Sequence, residues 1–505
     1  MKNTSLNADR RTRELDELDA DPRVDVLVIG AGVTGAGVAL DAASRGLSVV
    51  LAEKRDLAFG TSRWSSKLVH GGLRYLASGQ VGIAHESAVE RGILINRTAP
   101  HLVRAFPQVI PLHPSVSAKD AALTRVGLLA GDLLRMAAHT SSATLPRSRR
   151  ISPAEVVRHA PTVRAAGLRG GLMGWDGQLN DDARLVVALA RTAAGFGAKV
   201  LTRTEVKQAT GAGAVLTDTL TGRSIDVGAR VVINATGVWA GELATGLTLR
   251  PSRGTHLVVS QEAFGGLSCG LTVPVPGHFG RYVFALPAPD DRVYVGLTDE
   301  DAPGPVPDEP RAAESEIDFL LETINLALAS GLTRHDVLGT FSGLRPLLDT
   351  GSGTTADISR KHQVITGADG LITVVGGKLT TYRRMAQDAL DAGIARSGVA
   401  CGPCRTTTLP LVGAASRAQL GAVRAPGRLV HRYGTEASNV LAVGGPELNR
   451  PICGATEVTT AELLFAVRHE GALDVADLLD RRTRIGLSPE ARATAVAAAE
   501  AALAG

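Results

Sequence analysis

The sequence predicts an α/β chain with a dinucleotide-binding βαβ unit at its start, antiparallel strands in its middle and helices at its end. Three observations predict this. Residues 24–53 read as strand, glycine loop, helix and strand; two alternating runs at 281–286 and 292–297 flank a Pro/Asp turn; and helical spacing prevails after about residue 400. At 505 residues the chain is too long for one compact core, and at about 150 residues per domain it calls for roughly three domains.

Residues 24–29 (VDVLVI) are a short run rich in β-branched residues, suited to a buried parallel strand. They lead into Gly30, Gly32 and Gly35 in the spacing G-x-G-x-x-G, then a helix-spaced stretch over 36–45 that stops at Gly46. A second apolar strand over 47–52 is closed by Glu53. Each part has a physical reason. Gly30 permits a tight turn, Gly32 admits a pyrophosphate to the backbone, and Gly35 lets the helix sit close on the sheet. Free N–H groups at the helix start favour the anion. Glu53, 21 residues after Gly32, is placed to accept hydrogen bonds from an adenosine ribose. NAD and FAD sites share this fingerprint.

Composition narrows the class. Hydrophobic residues at 44% and charged residues at 21% fit a globular chain and exclude wholesale disorder. Aromatics are only 3% while glycines number 57, so small side chains pack the interior and backbone comes close to something. No Gly-X-Y period exists, which excludes collagen, and so few rings argue against stacking of bases. The 54 basic and 50 acidic residues leave a net charge of +4, close to balance, which argues for no nucleic-acid partner. Four cysteines are too few for a disulfide scaffold and fit a reducing, cytoplasmic setting. Residues 1–22 lack an apolar core and read as a flexible, solvated tail. The longest uncharged apolar run, 26–40, is short of the ~20 residues of a membrane span. Cys401 and Cys404 form a C-x-x-C in a Gly/Pro/Thr linker with no second ligand pair, so no metal is expected.

After Glu53 the chain reads DLAFGTSRWSSKLVHGGLRYL over 56–76. Further blocks are GWDGQLNDDARL (174–185), RVVINATGVWA (230–240), RGTHLVV (253–259), FSGLRPL (341–347), ISRKH (358–362) and VVGGKLTTYRRMA (374–386). A helical segment, AELLFAVRHEGALDVADLLDRRTRIG (461–486), closes the series. In this combination and order the chain resembles the FAD-dependent, respiratory glycerol-3-phosphate dehydrogenases, within the glycine/D-amino-acid oxidase superfamily. The resemblance spans about residues 24 to 490.

The resemblance implies a doubly wound, Rossmann-like FAD-binding domain built from separated segments, about 23–100, 150–245 and 340–400. An antiparallel-sheet cap, about 100–150 and 246–340, is interleaved with it, and a C-terminal helical domain occupies 401–505. It also implies FAD as cofactor, sn-glycerol 3-phosphate as substrate and a membrane quinone as electron acceptor. Peripheral attachment at the cytoplasmic face of the inner membrane would follow. Residues 121–137 have an apolar face that suits either a membrane surface or ordinary packing. Assembly into a homo-oligomer stays open.

Flavin-linked oxidation of a secondary alcohol needs a base for the hydroxyl proton and charge to orient the substrate. Phosphate adds a demand for fixed cations. Arg345 and Lys378 are the leading candidates: the first in a Gly-Leu-Arg-Pro turn, the second at a strand-to-helix junction after Gly376 and Gly377. Arg74 and Arg360 are the candidate phosphate clamp, with Tyr75 beside them. Two histidines compete as base; His256 is favoured for the proton and His70 for flavin or substrate contact. Further cofactor contacts are assigned to Thr61, Ser66, Lys67, Leu68, Val206, Thr236, Gly237, Leu379 and Thr380.

Two departures stand out: bulky Arg63 and Trp64 before the serine pair, and Leu297 where relatives carry threonine. An oxidase using O2 would share these motifs. An amino-acid or amine oxidase would leave the four cations unexplained, and a non-catalytic flavin-binding scaffold would not need them.

Overall fold

The computed structural model describes residues 3–72, 75, 79–278, 280–349 and 361–505. Its first sheet has a parallel core in the order Ile372–Val375, Ser224–Asn234, Arg23–Ile29, Val49–Ala52 and Lys199–Leu201. Because side chains alternate along a strand, Val26 and Val28 face one side while Leu27 and Ile29 face the other. Both sides are buried, which is why the strand reads as a continuous apolar run. Helices Val33–Ser44, Asp182–Gly195 and Tyr382–Ser397 cover the first side. A hairpin, Thr204–Thr210 with Gly213–Asp218, covers the second together with an N-terminal helix.

That N-terminal helix, Ala8–Ala20, corrects the expectation of a flexible tail over 1–22. Asn7 caps it by accepting the Arg10 N–H at 2.9 Å. Leu15 and Leu18 are buried against Leu27 and Val50, and Arg11 is ion-paired to Asp218. Two leucines among many charges lack the signature of a core helix; only the sheet they cover reveals their role.

The second sheet is mainly antiparallel and contains the expected hairpin, Tyr282–Ala288 with Arg292–Gly296. Strand Leu249–Ser260 pairs along almost its whole length with Val337–Leu348, which sets His256 opposite Phe341. Two of its strands fall outside the expected cap boundaries, Leu68–Val69 and Gly171–Leu179, and Val337–Leu348 runs across one of those boundaries. The segments 23–100, 150–245 and 340–400 therefore each contribute to the second sheet as well as the first. Alternation along a strand identifies the strand and not the sheet it joins.

The helical segment over 461–486 is not continuous. Helix Thr460–His469 starts with a Thr459/Glu462 capping box and stops before Gly471, and a wider turn follows over Asp477–Arg482. Helix Pro489–Ala504 packs alanines against this pair. The C-terminal region docks on the first domain through buried charge: Arg482 grips Asp56 with two bonds of 2.8 Å, and Glu470 takes Arg184.

Candidate active site

One cavity of about 1740 Å³ lies between the two sheets. At one end the glycine loop and Glu53 line it. Gly30 has φ of +96°, and a Cβ on Gly35 would stand 1.8 Å from the Gly30 carbonyl oxygen, so no side chain fits there. The Glu53 carboxylate accepts N–H bonds from Ala31 and Arg55, each at 2.8 Å. Burial raises its pKa, against the pull of those two bonds. Ser62 accepts the Val33 N–H at 2.9 Å, at the start of the loop's helix. A glycine-lined wall, an amide-rich helix start and a carboxylate fixed by backbone fit the pyrophosphate and ribose of a dinucleotide.

Along the cavity the lining continues with Val206, Thr236 and Gly237, then Thr61, Ser66 and Leu68. Thr61 donates to the Leu344 carbonyl at 2.6 Å, tying this loop to the second sheet. Gly376, Gly377, Leu379 and Thr380 also line the cavity, where Lys378 precedes a helical turn running into Tyr382–Ser397. Lys67 departs from expectation. Its side chain is 3% exposed and turns inward, its ammonium 3.2 Å from Asp182 and 2.9 Å from the Ser65 carbonyl. Burial depresses its pKa to about 8, partly offset by Asp182.

His256, Arg345, Lys378, His70 and Tyr75 all line the same cavity. The His256 Nε2 lies 2.9 Å from the Ser66 hydroxyl, and its ring stacks on Phe341 at 4.6 Å. Burial first, then the Lys67 and Arg345 charges, hold its pKa well below 6.5, so the ring is neutral at neutral pH. Arg345 donates to Ser252 at 3.0 Å and to Asp299 at 3.2 Å. Lys378 donates to Ser87 at 2.6 Å and lies 4.2 Å from the centre of the Tyr75 ring. Arg74 and Arg360 lie outside the described residues.

Asp299, Asp176 and Arg91 are among the lining residues that were not assigned from sequence. Asp299 pairs with Arg345; Asp176 accepts from Arg91 at 2.5 Å and from the Gly71 N–H at 2.9 Å. Asp176 sits in the GWDGQLNDDARL block and Asp299 beside the Leu297 departure, so both stood within flagged segments. Arg91 stood in none. Among the described residues no cluster of metal-ligating side chains occurs, and the four cysteines are free. No helix among them is long and apolar enough to cross a membrane.

Comparison with known proteins gives a consistent result. A family model described as FAD dependent oxidoreductase matches residues 25–383, and one described as C-terminal domain of alpha-glycerophosphate oxidase matches 404–505. The chain is 56% identical over 504 residues to glycerol-3-phosphate dehydrogenase 1 of Mycobacterium tuberculosis, covering 98% of each. It is 33% identical over 500 residues to the glycerol-3-phosphate dehydrogenase of Synechocystis, covering 92% of this chain and 89% of that one. The structure of the glycerol-3-phosphate dehydrogenase from Bacillus halodurans complexed with FAD, at 27% identity, superposes with a TM-score of 0.76. That match covers 99% of this chain and 93% of the other.

Proposed function

The chain belongs to the FAD-dependent oxidoreductase family, and on that premise we propose that it oxidises sn-glycerol 3-phosphate to dihydroxyacetone phosphate and passes the electrons to a membrane quinone. The observation that carries the substrate is the 56% identity, end to end, with a glycerol-3-phosphate dehydrogenase. Arg345 and Lys378, which both line the cavity, support it, since a small phosphorylated alcohol needs cations and few apolar contacts.

The glycine loop, Glu53, Val206 and the Thr236–Gly237 turn would hold the FAD. Bound there, FAD would supply the two-electron oxidant for the alcohol. Neutral His256 takes the hydroxyl proton at a ring nitrogen, Ser66 fixing the ring's rotation. Arg345, braced by Asp299 and Ser252, orients the substrate, and Lys378 adds positive potential at the helix start. Arg74, Arg360 and Tyr75 remain the proposed phosphate contacts, with His70 at the mouth.

Peripheral membrane contact has its own support. On helix Ala118–Ala137, Leu123, Val126, Leu129, Leu133 and Met136 are exposed along one face, and the first two also line the cavity. A lipid-soluble acceptor would approach from that side.

The test is the visible spectrum of purified protein before and after anaerobic sn-glycerol 3-phosphate. Bleaching of flavin bands supports the reading; absent or unbleached bands overturn it. An oxidase is the second reading, favoured by the match of residues 404–505 to the domain named after alpha-glycerophosphate oxidase. Stoichiometric peroxide in air without added acceptor would decide for it.

A further inference from the structure

The Arg63-Trp64 departure has an unassigned partner in the C-terminal region. Arg484 is 5% exposed, and its guanidinium lies 5.0 Å from the Trp64 ring centre. It donates to the Arg63 carbonyl at 2.5 Å and to the Asp480 carbonyl at 2.6 Å, with Asp181 3.9 Å away. Arg292 donates to the Arg484 backbone carbonyl at 3.1 Å, which fixes the main chain that carries the guanidinium.

Trp64 passes this contact on. Its ring stacks on Phe341 at 6.0 Å and 23°, and Phe341 stacks on His256 at 4.6 Å and 9°. On the other side Trp64 abuts Gly343, where a Cβ would come within 2.8 Å of the Trp64 Cβ. Two guanidiniums thus lie over the Trp64 ring, Arg63 at 4.1 Å and Arg484 at 5.0 Å, and the stack of Trp64 on Phe341 leads on to the His256 ring. The backbone supplies a second route. The Arg63 carbonyl that takes Arg484 also takes Lys67 at 3.2 Å, and the intervening Ser66 holds His256.

We propose that Arg484 is a positioning residue for the oxidation, through which the C-terminal region sets the orientation of His256 by way of Trp64 and Phe341. The guanidinium's planar fork reaches the Arg63 and Asp480 carbonyls while lying over the Trp64 ring, a span that the single nitrogen of a lysine does not reproduce. The inference rests on the proposed reaction and on His256 as its proton acceptor. Residues far from the reacting atoms act in this way when small displacements cost rate, about 10²-fold for 1 Å.

The experiment compares wild type, Arg484→Ala, Trp64→Leu and the double variant as FAD-loaded enzymes. Expected is a fall in kcat of about 10²-fold for each single variant with KM within about threefold, and no further fall in the double variant. Guanidinium in solution should restore part of the Arg484→Ala rate. Independently of activity, hydrogen exchange of the 61–68 amides should quicken in Arg484→Ala. Arg484→Lys replaces the alanine variant if that one does not fold, with the same direction expected. Single variants with wild-type kcat, fully multiplicative losses, or unchanged exchange over 61–68 would each overturn the inference. Failure of the underlying reading is separate: wild-type flavin would then not bleach with sn-glycerol 3-phosphate, whatever the variants do.

Discussion

The Ser66 hydroxyl lies 2.9 Å from Nε2 of His256, joining the loop after the nucleotide-binding strand to the second sheet across the cavity. Strand Leu68–Val69 and strand Leu249–Ser260 carry the two partners to this meeting point. His256→Gln should lower kcat about 10²- to 10⁴-fold, the range for loss of a general base. Ser66→Ala should cost about fivefold, one neutral hydrogen bond of about 1 kcal/mol. Anaerobic flavin bleaching in a stopped-flow instrument measures both. Because reaction needs the neutral ring and its pKa is held down, the acid limb of kcat/KM should lie below pH 6.5.

Glu53 is fixed by two backbone N–H groups at the cavity's nucleotide end. Glu53→Ala should weaken FAD binding by about 1.5–3 kcal/mol, or about 10- to 100-fold in Kd. Titration of apoprotein by flavin fluorescence reads this directly. An unchanged Kd would remove Glu53 from the cofactor site.

Asp56 holds Arg481 and Arg482 in the buried interface with the C-terminal region. Asp56→Ala leaves the buried Arg482 with only the Glu470 carbonyl, while Arg481 keeps Asp477, and should destabilise the protein by about 3–5 kcal/mol, read from thermal unfolding. Burial opposes ionisation of Asp56, but the arginines outweigh it and hold its pKa below the ordinary value. Its stabilising effect is therefore complete above pH 3.8 and is lost as pH falls through the folded-state pKa.

His101 is 3% exposed, and burial, with the Arg184 and His431 charges, lowers its pKa to about 3. The folded state resists its protonation while the unfolded chain accepts a proton near 6.5. Its contribution is thus present above pH 6.5 and declines as pH falls toward 3. Unfolding midpoints of His101→Gln should depend less on pH across that window than those of wild type.

Val126 and Leu133 are 60% and 66% exposed on helix Ala118–Ala137. If that face meets lipid, replacing both with serine should reduce co-sedimentation with anionic phospholipid vesicles by about tenfold or more, since each fully buried side chain contributes about 1.5–3 kcal/mol. Equal binding by wild type and variant would remove this face from the membrane contact.

The glycine loop and Glu53 were legible because each demand is local: a turn, a close approach, a carboxylate one strand away. Arg91, Asp176 and Asp299 were less so. Asp176 meets Gly71 from more than a hundred residues along the chain, and no spacing rule encodes that meeting. The Lys67 side chain was not legible either: its segment suggested cofactor contact, while the buried Asp182 carboxylate draws the ammonium inward.

By itself the sequence determined the βαβ unit, the hairpin at 282–296, the helical end and the blocks that mark an FAD-dependent oxidoreductase. These depend on residue period, on glycine sterics and on neighbours a few positions apart. Only the tertiary structure decided that residues 8–20 are a packed helix and that strand Val337–Leu348 serves the second sheet. It alone set Arg484 over Trp64, whose stack through Phe341 ends on His256. Burial and pairing between distant segments settle such matters, because an apolar or charged side chain takes its role from whatever the fold brings against it.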